Sequence, residues 1–233
     1  EQKKISEILW AIEENIEKIE KLLETTEKLK KGLLNQLLTK GIGHTKFKET
    51  EIGEIPEEWE VVELSKIAEI NYGKSNPNDS GDIPVIGSAG VYSKTSMPLI
   101  KDPTLVIGRK GTAGRVWLIS EPSYPSDTTF YLSWKKYVNI KFVFYYMILN
   151  PLTGENAKST LPSIQKTELD NYLIPMPAIF EQKQIVDNLS SVDTTIETYK
   201  SHITHLSNLK KKLTNEFLSG NIRIPLEVLK NVQ

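Results

Sequence analysis

Residues 1 to 42 of this 233-residue chain align without a gap onto residues 181 to 222, at a constant offset of 180. Both copies open Glu-Gln-Lys (Glu1 to Lys3, Glu181 to Lys183). They also share Ile5/Ile185, Leu9/Leu189, Ile16/Ile196, Glu17/Glu197, Leu29/Leu209, Lys30/Lys210, Lys31/Lys211, Leu33/Leu213, Asn35/Asn215, Leu38/Leu218 and Ile42/Ile222, which makes 14 identities in 42 positions. Within the first copy Ile5, Leu9, Ile12, Ile16, Ile19, Leu23, Thr26, Lys30, Leu33 and Leu37 step by alternating four and three. The second keeps that register through Ile185, Leu189, Val192, Ile196, Tyr199, Ile203, Leu206, Lys210, Leu213 and Phe217. A seam repeating every 3.5 residues faces one partner along a helix, so each copy needs another helix to cover it. The other copy is the obvious mate, and two helices of about 33 residues would make a spacer of roughly 50 Å. The same spacing would also serve a generic dimer zipper. Placement argues for more, because the copies bracket a region of different composition.

That region changes period after Gly41 and Gly43, which mark the stop of the first helix. The acidic linker Lys48 to Leu64 contains Pro56 and is expected to be extended and exposed. The short apolar runs LSKIAEINYG, DIPVIGSAGVYS, TLVIGRKG, GRVWLIS and TTFYLSW follow between turn residues, the pattern of a small, mostly antiparallel sheet. Tyr137 to Asn150 reads as a short buried helix ended by Pro151, and Pro162 to Asn171 as a second one started by Ser163. Ile174 to Phe180 is too Pro-rich for either element and reads as an extended lead into the second arm. The organisation is therefore a helix over 1–42, an α+β domain over 43–180 with its body from Ile52 to Ile179, a second helix over 181–222 and a tail over 223–233.

Composition excludes several chemistries. With no Cys there is no disulfide framework, zinc ribbon or thiol nucleophile, which fits a reducing interior. No apolar run approaches the roughly 18 to 20 residues of a membrane span. The opening EQKKISEILW is neither a signal peptide nor an initiator Met, so a soluble protein cut from something longer is expected. The net charge of −1, from 29 Lys+Arg against 30 Asp+Glu, hides an uneven distribution. Between Asn71 and Arg115, Lys74, Lys94, Lys101, Arg109, Lys110 and Arg115 face only Asp79, Asp82 and Asp102, so one local basic surface is expected.

VIGRKGTAGRV (Val106 to Val116) is Gly-rich but lacks the Gly-Lys-Ser/Thr ending of a P-loop and the spacing of a dinucleotide fingerprint. Its glycines suit a β-hairpin with Arg109 and Lys110 at or beside the tip. Such a hairpin is either an ordinary solvated turn or a device by which Arg109, Lys110, Thr112 and Arg115 present donors to a nucleic-acid backbone or to guanine edges. Two further loops, Asn71 to Asp82 with Lys74, Ser75 and Asn76, and Ile86 to Ser96 with Tyr92 and Lys94, carry residues able to read base edges, as does Lys158 beside Ser159 and Thr160. Catalytic constellations are poor. His202 and His205 flank the seam without a third ligand, and His44 lies in a linker. Asp170 with Glu181-x-Lys183 imitates a nuclease order, but Glu-Gln-Lys recurs at residue 1 and is better explained as a helix opening with acids near the positive dipole end. Asn150-Pro151-Leu152-Thr153 does not fit an adenine methyltransferase motif. The chain is expected to do no chemistry itself, with no metal and no cofactor.

GEIPEEWEVVEL (Gly53 to Leu64), VIGRKGTAGRV, YPSDTTFYL (Tyr124 to Leu132) and LPSIQKTELDNYLIPMPAIFEQKQIV (Leu161 to Val186) follow one another into a long helix. In that order they closely resemble the HsdS-like specificity subunit of type I restriction-modification systems, over essentially the whole chain. The Ile-Pro-x-x-Trp opening and the Pro-x-Pro-x-x-x-Glu-Gln-Lys-x-Ile closing are specific when found together. The resemblance implies an antiparallel coiled coil of the two helices and a target-recognition domain between them that reads one half of a bipartite double-stranded DNA target. It implies a noncatalytic, cytoplasmic subunit that docks methyltransferase (modification) subunits, which modify adenine at N6 using S-adenosylmethionine, and through them an ATP-dependent restriction subunit. The family carries two such domains and this chain one. Either the first has been removed, or this is a half-size version that pairs with another chain, for instance as a homodimer through the helices. With little net positive charge, tight DNA binding should need the methyltransferase partners, for which the outer faces of the arms are the candidate docking surface. The competing reading is a coiled-coil adaptor whose middle domain binds protein.

Overall fold

The computed structural model describes residues 1–77, 79–152 and 163–225, and these divide into two compact units. The first comprises residues 1–32 with the described part of 188–233, and the second residues 33–187. Two long helices, α1 (Gln2–Thr39) and α5 (Ile179–Ser219), contribute to both. At 38 and 41 residues they run beyond the seam of about 33 residues, and no Pro lies within either to stop them.

In the first unit the seam is formed within the chain. Ile16 and Ile196 are buried and the remaining seam positions between them are half-buried, while the positions flanking them are exposed. Cross-helix ion pairs give the direction. Lys30 Nζ lies 2.6 Å from Asp193, Lys200 Nζ 3.7 Å from Glu27, and Lys210 pairs with Glu13. As one number rises its partner falls, so the helices run antiparallel. Lys30 and Lys210 are the two seam lysines of the repeat, and their partners Asp193 and Glu13 are themselves related by the offset of 180. The unit thus holds two equivalent lysine–acid pairs. Half-polar positions in an otherwise apolar seam set register, because any slip would bury a lysine without its acid.

In the second unit, β1 (Phe47–Thr50) and β2 (Gly53–Pro56) form a hairpin, and β3 (Glu60–Glu63) pairs antiparallel with β11 (Leu173–Met176). Between them in sequence lie α2 (Leu64–Ile67), β4 (Ala68–Tyr72), β5 (Ile83–Gly87), β6 (Gly90–Thr95), β7 (Thr104–Gly108), β8 (Val116–Ile119), β9 (Tyr124–Pro125), β10 (Thr129–Trp134), α3 (Ile140–Leu149) and α4 (Lys166–Asp170). The central sheet is antiparallel in the order β4-β10-β7-β8, and a three-stranded sheet in the order β6-β5-β9 contains the one parallel pair described. Every residue of β7 is buried. Val106 packs with Ile86 and Ile100 under Trp117, Ile119 and Tyr131. Alternation along the strand sends Leu105 and Ile107 to the other face, where α3 packs against β7 and β8. This is the expected α+β architecture.

Five local expectations change. The linker from Lys48 to Leu64 is extended but not wholly exposed: Ile55 is 2% and Trp59 1% accessible, because their apolar side chains anchor it. The run LSKIAEINYG begins with the helical turn of α2 rather than strand, burying Leu64 and Ile67. The helix expected from Tyr137 starts at Ile140, where the Asn139 carboxamide accepts from the Lys141 and Phe142 amides and caps it. The second short helix spans only Lys166–Asp170, capped by Gln165 in a capping box with Glu168 rather than by Ser163. Finally, Leu173–Met176 is a strand despite Pro175, which a two-stranded ribbon with free edges tolerates.

The second copy's Glu-Gln-Lys opening does more than complement a helix dipole. Glu181, in the first turn of α5, accepts from the Ile42 amide at 3.0 Å and the Trp59 indole N–H at 2.9 Å, and lies 2.9 Å from His44 Nε2. Gly41 packs directly over it at φ +65°, and a Cβ there would lie 2.5 Å from the carboxylate, so any side chain would be strained and would displace the acid. Gln182, 3% exposed, accepts from the Asn139 amide and donates to the Pro177 carbonyl. These two side chains tie the start of α5 to the end of α1, to the β2–β3 corner and to the cap of α3. His44, first read as a linker residue, is part of that knot.

Candidate nucleic-acid interface

Strand register gathers four loops at one end of the central sheet. Phe130 faces Tyr72, Thr129 faces Gly108, and Ile107 faces Val116. The end of β4, the β7–β8 hairpin loop and the start of β10 therefore lie side by side. β5 reaches the same end through the parallel β9, which pairs Ile86 with Pro125 and leads directly into Ser126.

The turn from Ser126 to Thr129 is the hub. Thr129 N–H donates to the Ser126 carbonyl at 2.9 Å, which closes the turn. From the loop after β4, Gly73 N–H donates to the Thr129 carbonyl and Lys74 N–H to the Pro125 carbonyl, each at 3.0 Å. From the β5–β6 turn, Ser88 N–H donates to Thr128 Oγ1 at 3.2 Å. From the β7–β8 loop, Arg109 N–H donates to the Thr128 carbonyl at 2.8 Å, and the Arg109 carbonyl in turn accepts from Ile164 N–H at 2.9 Å. Backbone bonds of this kind fix the loops against one another, so the side chains they carry form one surface.

The β7–β8 loop is a hairpin, as expected, closed by Gly114 N–H to the Gly108 carbonyl at 2.9 Å. Gly114 adopts φ +83° and a Cβ there would meet the Leu152 carbonyl at 2.2 Å, so the tight turn and close approach both require glycine. Arg109 sits at the base of this loop rather than its tip, half-buried, with its guanidinium carbon 5.3 Å from the Tyr72 ring centre and 5.9 Å from that of Phe130. Stacking on two rings orders a long side chain in advance. Its Nε is buried without a hydrogen-bond partner among the described residues. Arg115 lies 4.1 Å over the Trp117 ring. Lys74, Ser75, Lys110, Thr112 and Arg115 are exposed, and none of the four cations Lys74, Arg109, Lys110 and Arg115 is ion-paired among the described residues.

The loop carrying Lys74, Ser75 and Asn76 is held at both ends. Tyr124 Oη donates to the Ser75 carbonyl at 3.0 Å. At the far end Asp79 accepts from the Thr95 and Ser96 hydroxyls and the Ser96 amide. The Ser96 hydroxyl, then that of Thr95, holds the Asp79 carboxyl below its ordinary range. Tyr92, exposed, has its ring beside Gly87 and so joins the cluster through β6. Lys94 does not: it sits opposite Pro84 at the far end of the β5–β6 hairpin, within 3.9 Å of Asp82. Lys158 lies outside the described residues. Tyr72 and Ser88 lie in loops the sequence reading named without singling them out, whereas Asp127 and Thr128 were missed as members of this surface. The signal for Asp127 and Thr128 was YPSDTTFYL, whose polar triplet between two strands carries no basic residue.

Among the described residues no group of three His, Cys, Asp or Glu side chains could hold a metal ion, and no helix is long and apolar enough to cross a membrane.

Comparison with known proteins gives these loops a context. Residues 56–208 match the family model described as the type I restriction modification DNA specificity domain. Two proteins of Methanocaldococcus jannaschii align with 96% of the chain: the putative type I restriction enzyme MjaX specificity subunit at 32% identity, and the type I restriction enzyme MjaVIII specificity subunit at 33%. The chain spans 58% and 60% of their lengths. Among solved structures, the HsdS subunit from Thermoanaerobacter tengcongensis superposes with a TM-score of 0.64 at 18% identity, covering 94% of this chain and 57% of that one. The type I restriction-modification S subunit from M. genitalium gives 0.67 at 14%, covering 91% and 59%. At such identities the structures support the fold alone.

Proposed function

The chain belongs to the type I restriction modification DNA specificity family, and on that premise we propose that it is a noncatalytic DNA-reading subunit whose four-loop surface contacts one half of a bipartite duplex target. The observation that carries this is the convergence on Ser126–Thr129 of loops bearing Lys74, Arg109, Lys110 and Arg115, cations with no ion pair among the described residues in a chain whose net charge is −1. Lysines and arginines on exposed loops gain from phosphate contact by releasing counterions, and the neighbouring Ser75, Asn76, Tyr92 and Thr112 have the donors and acceptors that read base edges. The register-locked helical pair is the spacer that separates this half-site reader from its counterpart. Residues 43–180 form the reading domain, with 1–42 and 181–222 as the arms.

In the cytoplasm the chain works with methyltransferase subunits and, through them, a restriction subunit. Trp10, Leu22, Leu29 and Leu209 are large apolar side chains left about half or more exposed on the arms, which supports those outer faces as the docking surface. Duplex binding measured across a salt series tests the reading. Four phosphate contacts from the four cations give a slope of log K against log salt of about −3.6. A flat response would instead favour a coiled-coil adaptor whose middle domain binds protein.

A further inference from the structure

Asp127 is an exposed acid at the hub of the basic loop cluster. It occupies the second position of the turn Ser126–Thr129, which is closed by Thr129 N–H and Thr129 Oγ1 both donating to the Ser126 carbonyl, at 2.9 and 2.7 Å. The side chain serving the turn is Ser126, whose Oγ lies 2.8 Å from Thr128 Oγ1. Asp127 itself makes no hydrogen bond or ion pair among the described residues, although the next residue's carbonyl accepts the Arg109 amide, and the Lys110 amide at 3.3 Å. The turn does not require a carboxylate, because its bonds run through the backbone and through serine and threonine hydroxyls. A surface that only gripped phosphates would be weakened by one, since a fixed negative charge opposes the polyanion that the surrounding cations attract.

The chemistry of base edges reverses that sign. In the major groove an acceptor-only carboxylate is matched by the exocyclic amino group of cytosine N4, or that of adenine N6, and repelled by the O6/N7 edge of guanine and the O4 of thymine. We infer that Asp127 is a specificity-determining residue that accepts a hydrogen bond from a base amino group, cytosine foremost, at one position of the half-site. This rests on the DNA-reading function proposed above. The cations supply affinity for any duplex, and Asp127 makes close approach favourable only where an amino donor lies beneath the turn.

The test is binding-site selection from a random duplex library by the complex of this chain with its methyltransferase subunits, run with wild type, Asp127→Ala and Asp127→Asn. With Asp127→Ala, preference at one position should fall at least about five-fold while the other positions keep theirs. With Asp127→Asn, whose carboxamide pairs with adenine N6 and N7, that position should shift toward adenine. Affinity for unrelated duplex should rise in both variants, because a negative charge is gone. If both variants return the wild-type motif with tighter binding to every duplex, the carboxylate reads nothing and the inference is overturned. Asp127→Asn is isosteric and carries the test alone if Asp127→Ala fails to fold. A wild-type complex that selects no motif would instead refute the DNA-reading function, a failure distinct from an unchanged motif.

Discussion

Removing the carboxylate of Glu181 should destabilise the protein more than any other surface-adjacent acid, and the size of the effect follows from its partners. The carboxylate accepts from the Trp59 indole and the Ile42 amide and pairs with His44, and its side chain is only 14% exposed. In Glu181→Ala the Trp59 N–H is left in a site where the residue is 1% accessible, so it cannot turn to water and costs about 2 kcal/mol. His44, 14% exposed, recovers part of its hydration and costs about 1 kcal/mol. The Ile42 amide belongs to an exposed residue and adds little, while losing an acid from the first turn of α5 adds about 0.5 kcal/mol. The sum is about 3.5 kcal/mol, or roughly 7 to 14 °C in Tm for a chain of this size. Thermal unfolding followed by circular dichroism measures it, and a double-mutant cycle with Trp59→Phe isolates the indole bond, with an expected coupling of about 1.5 kcal/mol. A Glu181→Ala protein within 2 °C of wild type, or strict additivity in the cycle, would refute the reasoning.

Gly32 lies inside α1 with nothing within 4 Å of a would-be Cβ, so Gly32→Ala should stabilise by about 0.5 to 1 kcal/mol, read as a higher denaturant midpoint at unchanged slope. The seam pairs Lys30–Asp193 and Lys210–Glu13 set register more than stability. The double variant Lys30→Leu, Lys210→Leu should keep or raise Tm yet broaden the distance distribution between spin labels on the two arms, which are easily placed because the chain has no native cysteine. Asp79 has a folded pKa below its ordinary value of 3.8, so its hold on Ser96 is fully present above that pH and is lost as pH falls through the lower folded value. Exchange of the Ser96 amide should accelerate only on acidification below about pH 4, and in Asp79→Asn that acid dependence should vanish.

The parts of the fold that read clearly in the sequence are those governed by periodicity. A heptad seam repeats the same physical requirement ten times over, so Ile16 and Ile196 could be assigned to the interior from spacing alone. The glycine-rich hairpin was legible for a similar reason, because only a tight turn needs Gly111 and Gly114 at positive φ. What escaped depended on partners far away in sequence. Trp59 and His44 looked like linker residues because the acid that holds them is Glu181, more than a hundred residues on. Pro175 hid a strand whose mate is β3, more than a hundred residues earlier. At the interface the cations announced themselves by type, whereas Lys94 was grouped with them and is separated by the length of a hairpin. Asp127 and Thr128 were overlooked because a search for basic residues is blind to an acid and a hydroxyl at the hub.

Lysine footprinting on the complex of this chain with its methyltransferase subunits tests most directly whether the four-loop end of the sheet meets DNA. Lys74 and Lys110 are exposed at that end, and Lys66 and Lys136 are exposed beyond Ala68 and Trp134 at the opposite end. Cognate duplex should slow acetylation of Lys74 and Lys110 several-fold and leave Lys66 and Lys136 unchanged. Protection of Lys66 and Lys136 with Lys74 and Lys110 still reactive would put the DNA on the other side of the domain and contradict the assignment.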